Sequence, residues 1–371
     1  MNIHELSTPS FLVELDTLEN NISEMAKICK ENDVELWPMV KTHKSGMIAK
    51  MQYDAGVGGF LAGTIDEAGK LVDSGFKDIM LAYPVAGKEN TKRVIDLAKK
   101  ARIIAAFDGE DTAKELNNAL TQANMDLEYL IIIDCGLHRF GVEPEFTGDL
   151  AKKLQQYGKL KYKGISTHPG QVYGASNMKE VEGVAGIEVE ALKIAVKSLE
   201  EKGFSADIVA TGSTPTARFA VKSGVVTVLR PGNYAFYDNI QMALGVVPEE
   251  RCSLTVLATV ISRPNKEMLI IDAGSKCFGL DKGAHGIALI KGFGYVKGHP
   301  ELIITDLSEE VAKLKIEGNT TVKVGDKLEV IPNHACSSAN MTSFLVGHRN
   351  GTIEKTIYID ARGGTLRKPP V

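Results

Sequence analysis

The chain has 371 residues, of which 44% are hydrophobic and 24% charged, as is ordinary for a globular protein with room for two domains. Its formal net charge is -4 at pH 7, so it lacks the basic excess that favours binding to nucleic acid or to an anionic membrane. No apolar stretch reaches the roughly 20 residues that span a bilayer, and the N-terminus has no signal-peptide pattern. We therefore expect a cytoplasmic protein whose partner is a small molecule.

Short apolar runs recur along the N-terminal part of the chain, and stretches with helical spacing separate most of them. Helices are predicted over 65–74 and 181–202, each followed by a glycine. Eight such units within about 200 residues favour a (β/α)8 TIM barrel, an α/β fold, over an open doubly wound sheet. The predicted strands cover 34–40, 57–62, 78–83, 102–107, 128–134, 162–167, 207–211 and 226–230.

The C-terminal part has a different pattern, in which short alternating runs are separated by Gly-Asn, Gly-Asp and Asn-Gly turns. This pattern predicts an all-β domain over 251–371, behind a barrel domain over 16–250. Residues 1–15 contain one further strand, which we expect to join the β domain.

The five cysteines are widely spaced, odd in number and without a CxxC pair, which argues against a disulfide framework. Cys29, Cys135, Cys252 and Cys277 are predicted to be buried thiols. Cys336 is a candidate metal ligand.

The active site of such a barrel lies at the carboxyl ends of its strands, so the residues after each strand are candidates. The loops after the seventh and eighth strands combine glycines with hydroxyl groups, which suits a phosphate bound by backbone N–H groups. The residues alone do not decide between a phosphate site and two ordinary turns. The candidate ligands are Thr211, Gly212, Ser213, Thr214, Gly232, Asn233 and Tyr234.

Lys41 follows the first predicted strand, at the mouth of the barrel. Partial desolvation there would favour a nucleophilic amine that forms a Schiff base, and a lysine facing a phosphate site suggests pyridoxal 5'-phosphate (PLP). The alternative is a solvated loop lysine, which is the fate that we expect for Lys44.

The chain resembles the fold-type III PLP enzymes, in the group that contains D-threonine aldolases and D-serine dehydratases, with alanine racemases as more distant relatives. The resemblance runs nearly end to end, through TPSFLVELDTLENNI, PMVKTHKS, GLHRFGV, ATGSTPT, RPGNYAFYD and PNHACSSANM. It implies that Lys41 carries PLP as a Schiff base and that Gly212, Ser213, Thr214, Gly232 and Tyr234 hold its phosphate. It also implies a homodimer.

His334 and Cys336 are separated by one residue, so on a strand both side chains would lie on one face and bind one ion. Nitrogen and sulfur donors favour Zn²⁺, although a buried histidine beside an apolar thiol is the alternative. The resemblance implies a divalent cation here. It associates the His–Cys pair with zinc and dehydration, and a His–Asp pair with the manganese-dependent aldolases. We therefore expect zinc rather than manganese or magnesium.

Three further candidates follow the fifth and sixth strands. His168 is a general base, a group that positions a metal-bound water, or a histidine bonded to the backbone. Arg139 donates to the pyridine nitrogen, binds the substrate carboxylate or forms a surface ion pair. Tyr173 flanks the cofactor ring or only packs there.

The predicted function is a PLP-dependent, metal-assisted lyase that acts on D-3-hydroxy amino acids. An amino-acid racemase is one alternative, against which the His–Cys pair argues. A non-catalytic PLP-binding protein is another, against which the β domain argues. Trp37, Met39 and Val311 occupy positions where the family often carries Arg or His, so the residues leave the preferred substrate open.

Overall fold

The computed structural model describes residues 1–282 and 289–362. They form two compact units. The first, here called the β unit, contains Met1–Ser23, Tyr173–Met178 and the described part of Asn233–Ile359. The second, the barrel unit, contains Glu24–Val172, Lys179–Gly232 and residues 360–362. Within these ranges, no helix is both long enough and apolar enough to cross a membrane.

The strands and helices follow one another in two different patterns along the chain. The strands are β1 (Ser10–Glu14), β2 (Glu35–Leu36), β3 (Phe60–Ala62), β4 (Asp78–Leu81), β5 (Arg102–Phe107), β6 (Leu127–Ile132), β7 (Leu160–Ser166), β8 (Ile208–Thr211), β9 (Val228–Leu229), β10 (Leu254–Asn265), β11 (Met268–Ile271), β12 (Tyr295–Val296), β13 (Leu302–Leu307), β14 (Ala312–Ile316), β15 (Lys327–Ile331), β16 (Phe344–Arg349) and β17 (Thr352–Tyr358). The helices are α1 (Leu15–Glu31), α2 (Gly46–Asp54), α3 (Ile65–Asp73), α4 (Lys88–Ala98), α5 (Glu110–Ala123), α6 (Thr147–Leu154), α7 (Met178–Glu201), α8 (Ala217–Ala220), α9 (Asn239–Ala243), α10 (Ser275–Phe278) and α11 (Ala335–Ala339).

The barrel unit is a closed sheet of eight parallel strands, in the order β2-β9-β8-β7-β6-β5-β4-β3. A parallel bridge between Met39 and Leu61 joins the two ends of the sheet, and the Leu61 amide donates to the Pro38 carbonyl at 3.0 Å. The predicted (β/α)8 barrel is confirmed. The first strand is shorter than predicted because Pro38 has no N–H group to extend the ladder and Val40–Thr42 forms a 3-10 turn.

Side chains from successive strands fill the barrel interior, as expected for a parallel sheet that is covered on its outer face by helices. This buried cluster consists of Trp37, Met39, Leu61, Met80, Ile104, Leu130, Ala210 and Val228. Trp37 and Met39, which differ from the family pattern, therefore contribute apolar surface to the core.

The β unit contains a closed antiparallel ring of six strands, β10-β15-β12-β13-β14-β11, which returns to β10. Its core is apolar and includes Val256, Leu269, Ile304, Leu314 and Val330. Beyond the ring, β10 pairs with β1, β1 runs parallel to β16, and β16 pairs with β17. The N-terminal strand thus belongs to the same sheet as the C-terminal strands.

The C-terminal segment of the β unit begins at Asn233, before the predicted boundary at residue 251. Tyr234, Phe236 and Tyr237 are buried, the Ser253 amide donates to the Phe236 carbonyl at 2.8 Å, and the Asn239 amide donates to the Pro332 carbonyl at 3.1 Å. These contacts hold the segment in the β unit. They join residues distant in the sequence, which explains why local patterns placed the boundary later.

Candidate functional site

Lys41 lies at the carboxyl end of β2, in the 3-10 turn Val40–Thr42. In the sheet, β2 neighbours β9, and β9 neighbours β8, so the loops that follow these three strands emerge side by side. A Cβ atom added to Gly63, after β3, would lie 3.6 Å from Lys41 Cδ. The barrel fold therefore gathers the predicted Schiff-base lysine and the loops predicted to bind phosphate at one mouth.

Two glycines keep the backbone of this mouth closely packed. Gly212 has φ +134°, and a Cβ atom there would lie 3.0 Å from the Arg230 amide nitrogen. A Cβ atom on Gly232 would lie 2.9 Å from the Met39 carbonyl oxygen. Between them, the buried Ser213 hydroxyl has no hydrogen-bond partner. A buried hydroxyl of this kind needs a partner, and a phosphate oxygen would supply one, so these residues fit the phosphate of PLP.

Thr211 is held from behind by a buried carboxyl group on α7. Its hydroxyl donates to Glu188 Oε1, so this hydroxyl hydrogen is used within the protein. Burial raises the pKa of Glu188 to about 7, although hydrogen bonds from Thr211 and Thr216 act in the opposite direction. Glu188 thus holds the end of β8, where the following loop begins, from inside the barrel wall.

Arg230 is a candidate that the sequence reasoning missed. Its guanidinium is buried, with Nη2 donating to the Thr167 carbonyl at 2.5 Å, while Nε has no hydrogen-bond partner. Burial lowers the pKa of Arg230 to about 10, so the group remains charged at neutral pH. Val228, two residues earlier, lies in the barrel core, and the two-residue period of a strand places Arg230 on the same inner face. That period was the available signal.

His168 is half-buried after β7 and lies close to the positive charge of Lys41. Burial, followed by the charges of Lys41, Arg139 and Arg230, lowers the pKa of His168 to about 3, so the imidazole is neutral. Its Nδ1 lies 3.2 Å from the Gly212 carbonyl oxygen. Because a carbonyl only accepts, Nδ1 carries the proton and Nε2 is the acceptor. The histidine is therefore bonded to the backbone, and its Nε2 is left as a hydrogen-bond acceptor.

Arg139 is exposed, and its guanidinium lies over two aromatic rings, 4.5 Å from the centroid of Phe140 and 5.5 Å from that of Tyr83. Stacking of this kind leaves the N–H groups at the guanidinium edge able to bind a carboxylate. The position suits the predicted contact with a substrate carboxylate better than one with a pyridine nitrogen. Arg230 suits the latter role because it is buried.

Lys44 differs from its prediction as a solvated lysine. Its side chain is 14% exposed, and Nζ lies 3.1 Å from Oε1 of the buried Glu67. The loop of Lys41 is therefore packed rather than solvated.

Three predicted cofactor ligands belong to the β unit rather than to the barrel unit. Tyr173 is half-buried in the 3-10 helix Gly170–Gly174, and Tyr234 is buried in the 3-10 helix Asn233–Ala235. The side-chain amide of Asn233 donates to Asp238 Oδ2 at 2.5 Å. The other predicted ligands belong to the barrel unit.

His334 and Cys336 do not lie on a strand, so that part of the prediction is wrong. After β15 the chain passes Pro332, and α11 begins at Ala335, with His334 in extended conformation at its N-cap. The two side chains nevertheless come within hydrogen-bonding range of each other. They still converge, because His334 lies outside the helical turn that contains Cys336.

Asp281 holds the imidazole of His334 in place, and local patterns gave no signal for it. His334 Nδ1 lies 3.3 Å from Asp281 Oδ2, which also accepts from the Ser337 hydroxyl at 2.6 Å. Burial alone would lower the pKa of His334, but the negative charge of Cys336 and the contact with Asp281 raise it well above its usual value. A carboxylate on Nδ1 leaves Nε2 for an ion, as is common around metal-binding histidines.

The side chains of His334 and Cys336 fit a borderline divalent ion, because they offer imidazole nitrogen and thiolate sulfur as donors. Across residues 1–282 and 289–362, no three His, Cys, Asp or Glu side chains are grouped to hold a metal ion. The described residues thus bring together two candidate ligands, His334 and Cys336, and Asp281 orients the imidazole of the first.

Asp238 ties the same cluster to the segment after the barrel. Its buried carboxyl accepts from the Ala335 amide at 2.9 Å, the Gln241 amide at 3.1 Å and the Asn233 side chain. Burial raises the pKa of Asp238. The RPGNYAFYD motif therefore supports the start of α11.

Comparison with known proteins defines the class of this chain. Residues 13–239 match the family described as "Alanine racemase, N-terminal domain", and residues 253–347 match the "Putative serine dehydratase domain". The chain belongs to the fold-type III PLP enzymes of the D-threonine aldolase and D-serine dehydratase-like family.

Individual relatives match almost the whole chain. A D-serine dehydratase from Dictyostelium discoideum is 30% identical over 92% of this chain and 93% of its own. The structure of D-threonine aldolase from Filomicrobium marinum has a TM-score of 0.89 at 27% identity and covers 97% of this chain and 96% of its own. D-threo-3-hydroxyaspartate dehydratase from Delftia sp. HT23 has a TM-score of 0.89 at 27% identity, covering 96% and 98%. A mutant of D-threo-3-hydroxyaspartate dehydratase in a metal-free form also matches.

Proposed function

We propose that this protein is a PLP-dependent, metal-assisted lyase that acts on D-3-hydroxy amino acids, with dehydration as its reaction. The observation that carries the proposal is the placement of Lys41 beside the two glycine-lined loops, after three neighbouring strands of one barrel. The names of the matched relatives, which are dehydratases and aldolases, support the same class of reaction.

In this proposal, the barrel residues hold PLP at both of its ends. Lys41 provides the amine for the covalent bond, and Gly212, Ser213, Thr214 and Gly232 hold the phosphate. Arg230 donates from Nε to the pyridine nitrogen, because that N–H is buried without a partner and the guanidinium keeps its charge. Asn233, Tyr234 and Tyr173 stay proposed contacts with the cofactor.

When bound, PLP supplies an electron sink for the negative charge that develops at the substrate's Cα. The chain itself binds and moves protons around that atom. Arg139 binds the substrate carboxylate through the edge of its stacked guanidinium. The Lys41 amine takes the proton from Cα, and that proton balances the hydroxide that leaves Cβ, so that water is formed. His168 would accept the proton of the 3-hydroxyl at Nε2 only if the reaction were aldol cleavage.

We propose that His334 and Cys336 bind a zinc ion, with Asp281 orienting the imidazole. Such an ion would supply a Lewis acid for the 3-hydroxyl of the substrate. The thiolate donor supports zinc over manganese or magnesium, because those harder ions prefer oxygen ligands. Loss of the hydroxyl as water, followed by hydrolysis of the enamine, gives a 2-oxo acid and ammonia.

The test is to incubate the purified protein with D-serine, D-threonine, D-threo-3-hydroxyaspartate and D-alanine, with and without a chelator. We expect 2-oxo acid from a D-3-hydroxy substrate, loss of activity with the chelator and recovery with Zn²⁺. Formation of glycine and an aldehyde would show that the reaction is aldol cleavage and not dehydration. Chelator-insensitive racemisation of D-alanine would contradict the lyase, and no turnover at all would favour a PLP-binding protein.

The cofactor assignment has its own control. Lys41→Ala should abolish covalent attachment of PLP after borohydride reduction, as measured by mass spectrometry. Lys50→Ala, which removes an exposed lysine on α2, should retain it. Attachment in the first variant would contradict the role of Lys41.

We also propose a homodimer in the cytoplasm. Phe344 and Tyr358 face each other across β16 and β17 and are 47% and 58% exposed, which suits a subunit contact. The five cysteines are free thiols, as is usual in that compartment. A monomer mass by light scattering would contradict the dimer.

A further inference from the structure

Residues 360–362 return to the barrel unit, where they contact the loop that carries Lys41. The Gly46 amide donates to Asp360 Oδ1 at 3.0 Å, and the Ala361 amide donates to the Lys44 carbonyl at 2.9 Å. Asp360 Oδ2 lies 2.8 Å from Lys70 Nζ on α3. Two consecutive residues thus hold the KTHKSG loop at two points and link it to a neighbouring helix.

Lys44 needs such contacts because its backbone is in an unusual conformation. Its φ is +44°, in the left-handed region that L-residues with a side chain seldom occupy. Conformations of this kind persist where the surroundings hold them. Here the Lys44 side chain pairs with the buried Glu67, and Glu67 Oε2 accepts from the Gly63 amide at 2.6 Å. The carbonyl of Lys44 accepts from the Ala361 amide.

The rest of the loop is tightly packed, so a shift at Lys44 would reach Lys41. Thr42 is 1% exposed, His43 is fully buried, and Ser45 is 3% exposed, so these residues are packed and have little room to absorb a change. At the far end, the Asp360 carboxylate lies at the N-terminus of α2, where negative charge stabilises a helix.

We propose that Asp360 is a positioning residue that, together with Ala361, fixes the left-handed turn at Lys44 and so sets the position of the Lys41 amine for PLP. This inference rests on the proposed attachment of PLP to Lys41. Asp360 acts only through the loop.

The test measures binding of PLP to the apo-protein by absorbance titration, together with the rate of covalent attachment. We expect Asp360→Ala to weaken binding by about tenfold or more, the effect of losing one hydrogen bond to a charged group. Asp360→Asn should lose less because its amide oxygen can still accept from Gly46. Lys70→Ala should resemble Asp360→Asn, because it removes the ion pair and leaves that hydrogen bond.

A matched control is Asp54→Ala, which removes an ion pair with Lys50 at the other end of α2 and should leave PLP binding unchanged. Wild-type affinity and attachment rate in Asp360→Ala would overturn the inference, while loss of attachment in Lys41→Ala would leave the proposed function standing. If Asp360→Ala does not fold, wild-type binding by both Asp360→Asn and Lys70→Ala overturns it instead. Attachment retained by Lys41→Ala would overturn both proposals.

Discussion

The buried carboxyl group of Glu188 should make the barrel less stable as the pH rises, and Glu188→Gln should remove this effect. The folded chain keeps the proton on Glu188 up to about pH 7, whereas a solvated glutamate has lost it near pH 4.5. Between these values the folded state binds more protons than the unfolded state. The stabilising contribution is complete below the lower value and is lost as the pH rises through the upper one.

The size of the effect follows from the two pKa values. The interval between 4.5 and about 7, at about 1.4 kcal/mol for each pH unit, corresponds to about 3 kcal/mol. Glutamine stays neutral at every pH in this range. The free energy of unfolding of the variant, relative to that of the wild type, should therefore rise by about 3 kcal/mol between pH 4.5 and pH 8.

The assay is urea unfolding at several pH values, and the fluorescence of Trp37 reports the fraction unfolded. This residue is the one tryptophan of the chain, and it lies in the barrel core. The matched control is Glu190→Gln on the same helix, where the side chain is 64% exposed and no pH-dependent difference is expected. A constant difference between Glu188→Gln and the wild type across this range would refute the reasoning.

Four other substitutions test the mouth of the barrel and the His334–Cys336 pair. Gly232→Ala should weaken PLP binding by about tenfold to a hundredfold, because the added methyl group would lie too close to the Met39 carbonyl oxygen. Titration of the apo-protein with PLP measures this change. Unchanged binding would show that the loop can move to accommodate the methyl group. Arg230→Met should leave the urea stability of the apo-protein equal or higher, since replacing a buried charge by an apolar group is often neutral, while PLP affinity falls. If both fall together, Arg230 is structural. His334→Ala and Cys336→Ala should each lower zinc affinity by about tenfold or more, as measured by competition with a chromophoric chelator. Wild-type zinc affinity in either variant would show that the substituted residue is not a zinc ligand.

The parts of the fold that depend on local patterns could be predicted. The barrel strands were found from their apolar runs, and the loop of Lys41 from its position after one of them. The close backbone approach at Gly212 and Gly232 was expected because glycines follow these parallel strands, while their role as phosphate ligands stays a prediction. Each of these inferences uses residues that are neighbours in the sequence.

The residues that support the site could not be found in this way. Glu188 reaches Thr211 from a helix, Asp281 reaches His334 across the β unit, and Asp360 returns to a loop near the start of the chain. Such pairs are set by tertiary packing, which leaves no periodic trace. The HxC pair shows the converse error, since a two-residue spacing suggested a strand where a helix begins.

The position of β1 has a consequence for the order of events during synthesis. Leu12 pairs with Thr255 on one side and with Val346 on the other, so both neighbours of this strand are made long after it leaves the ribosome. The barrel segments are translated in between, and domains commonly begin to fold in the order of their synthesis. This apolar strand therefore remains without one of its sheet partners until β16 has been translated, and contacts of such long sequence separation form slowly. Nascent chains interrupted before β16 would expose this strand, and they are the ones that we expect chaperones to retain.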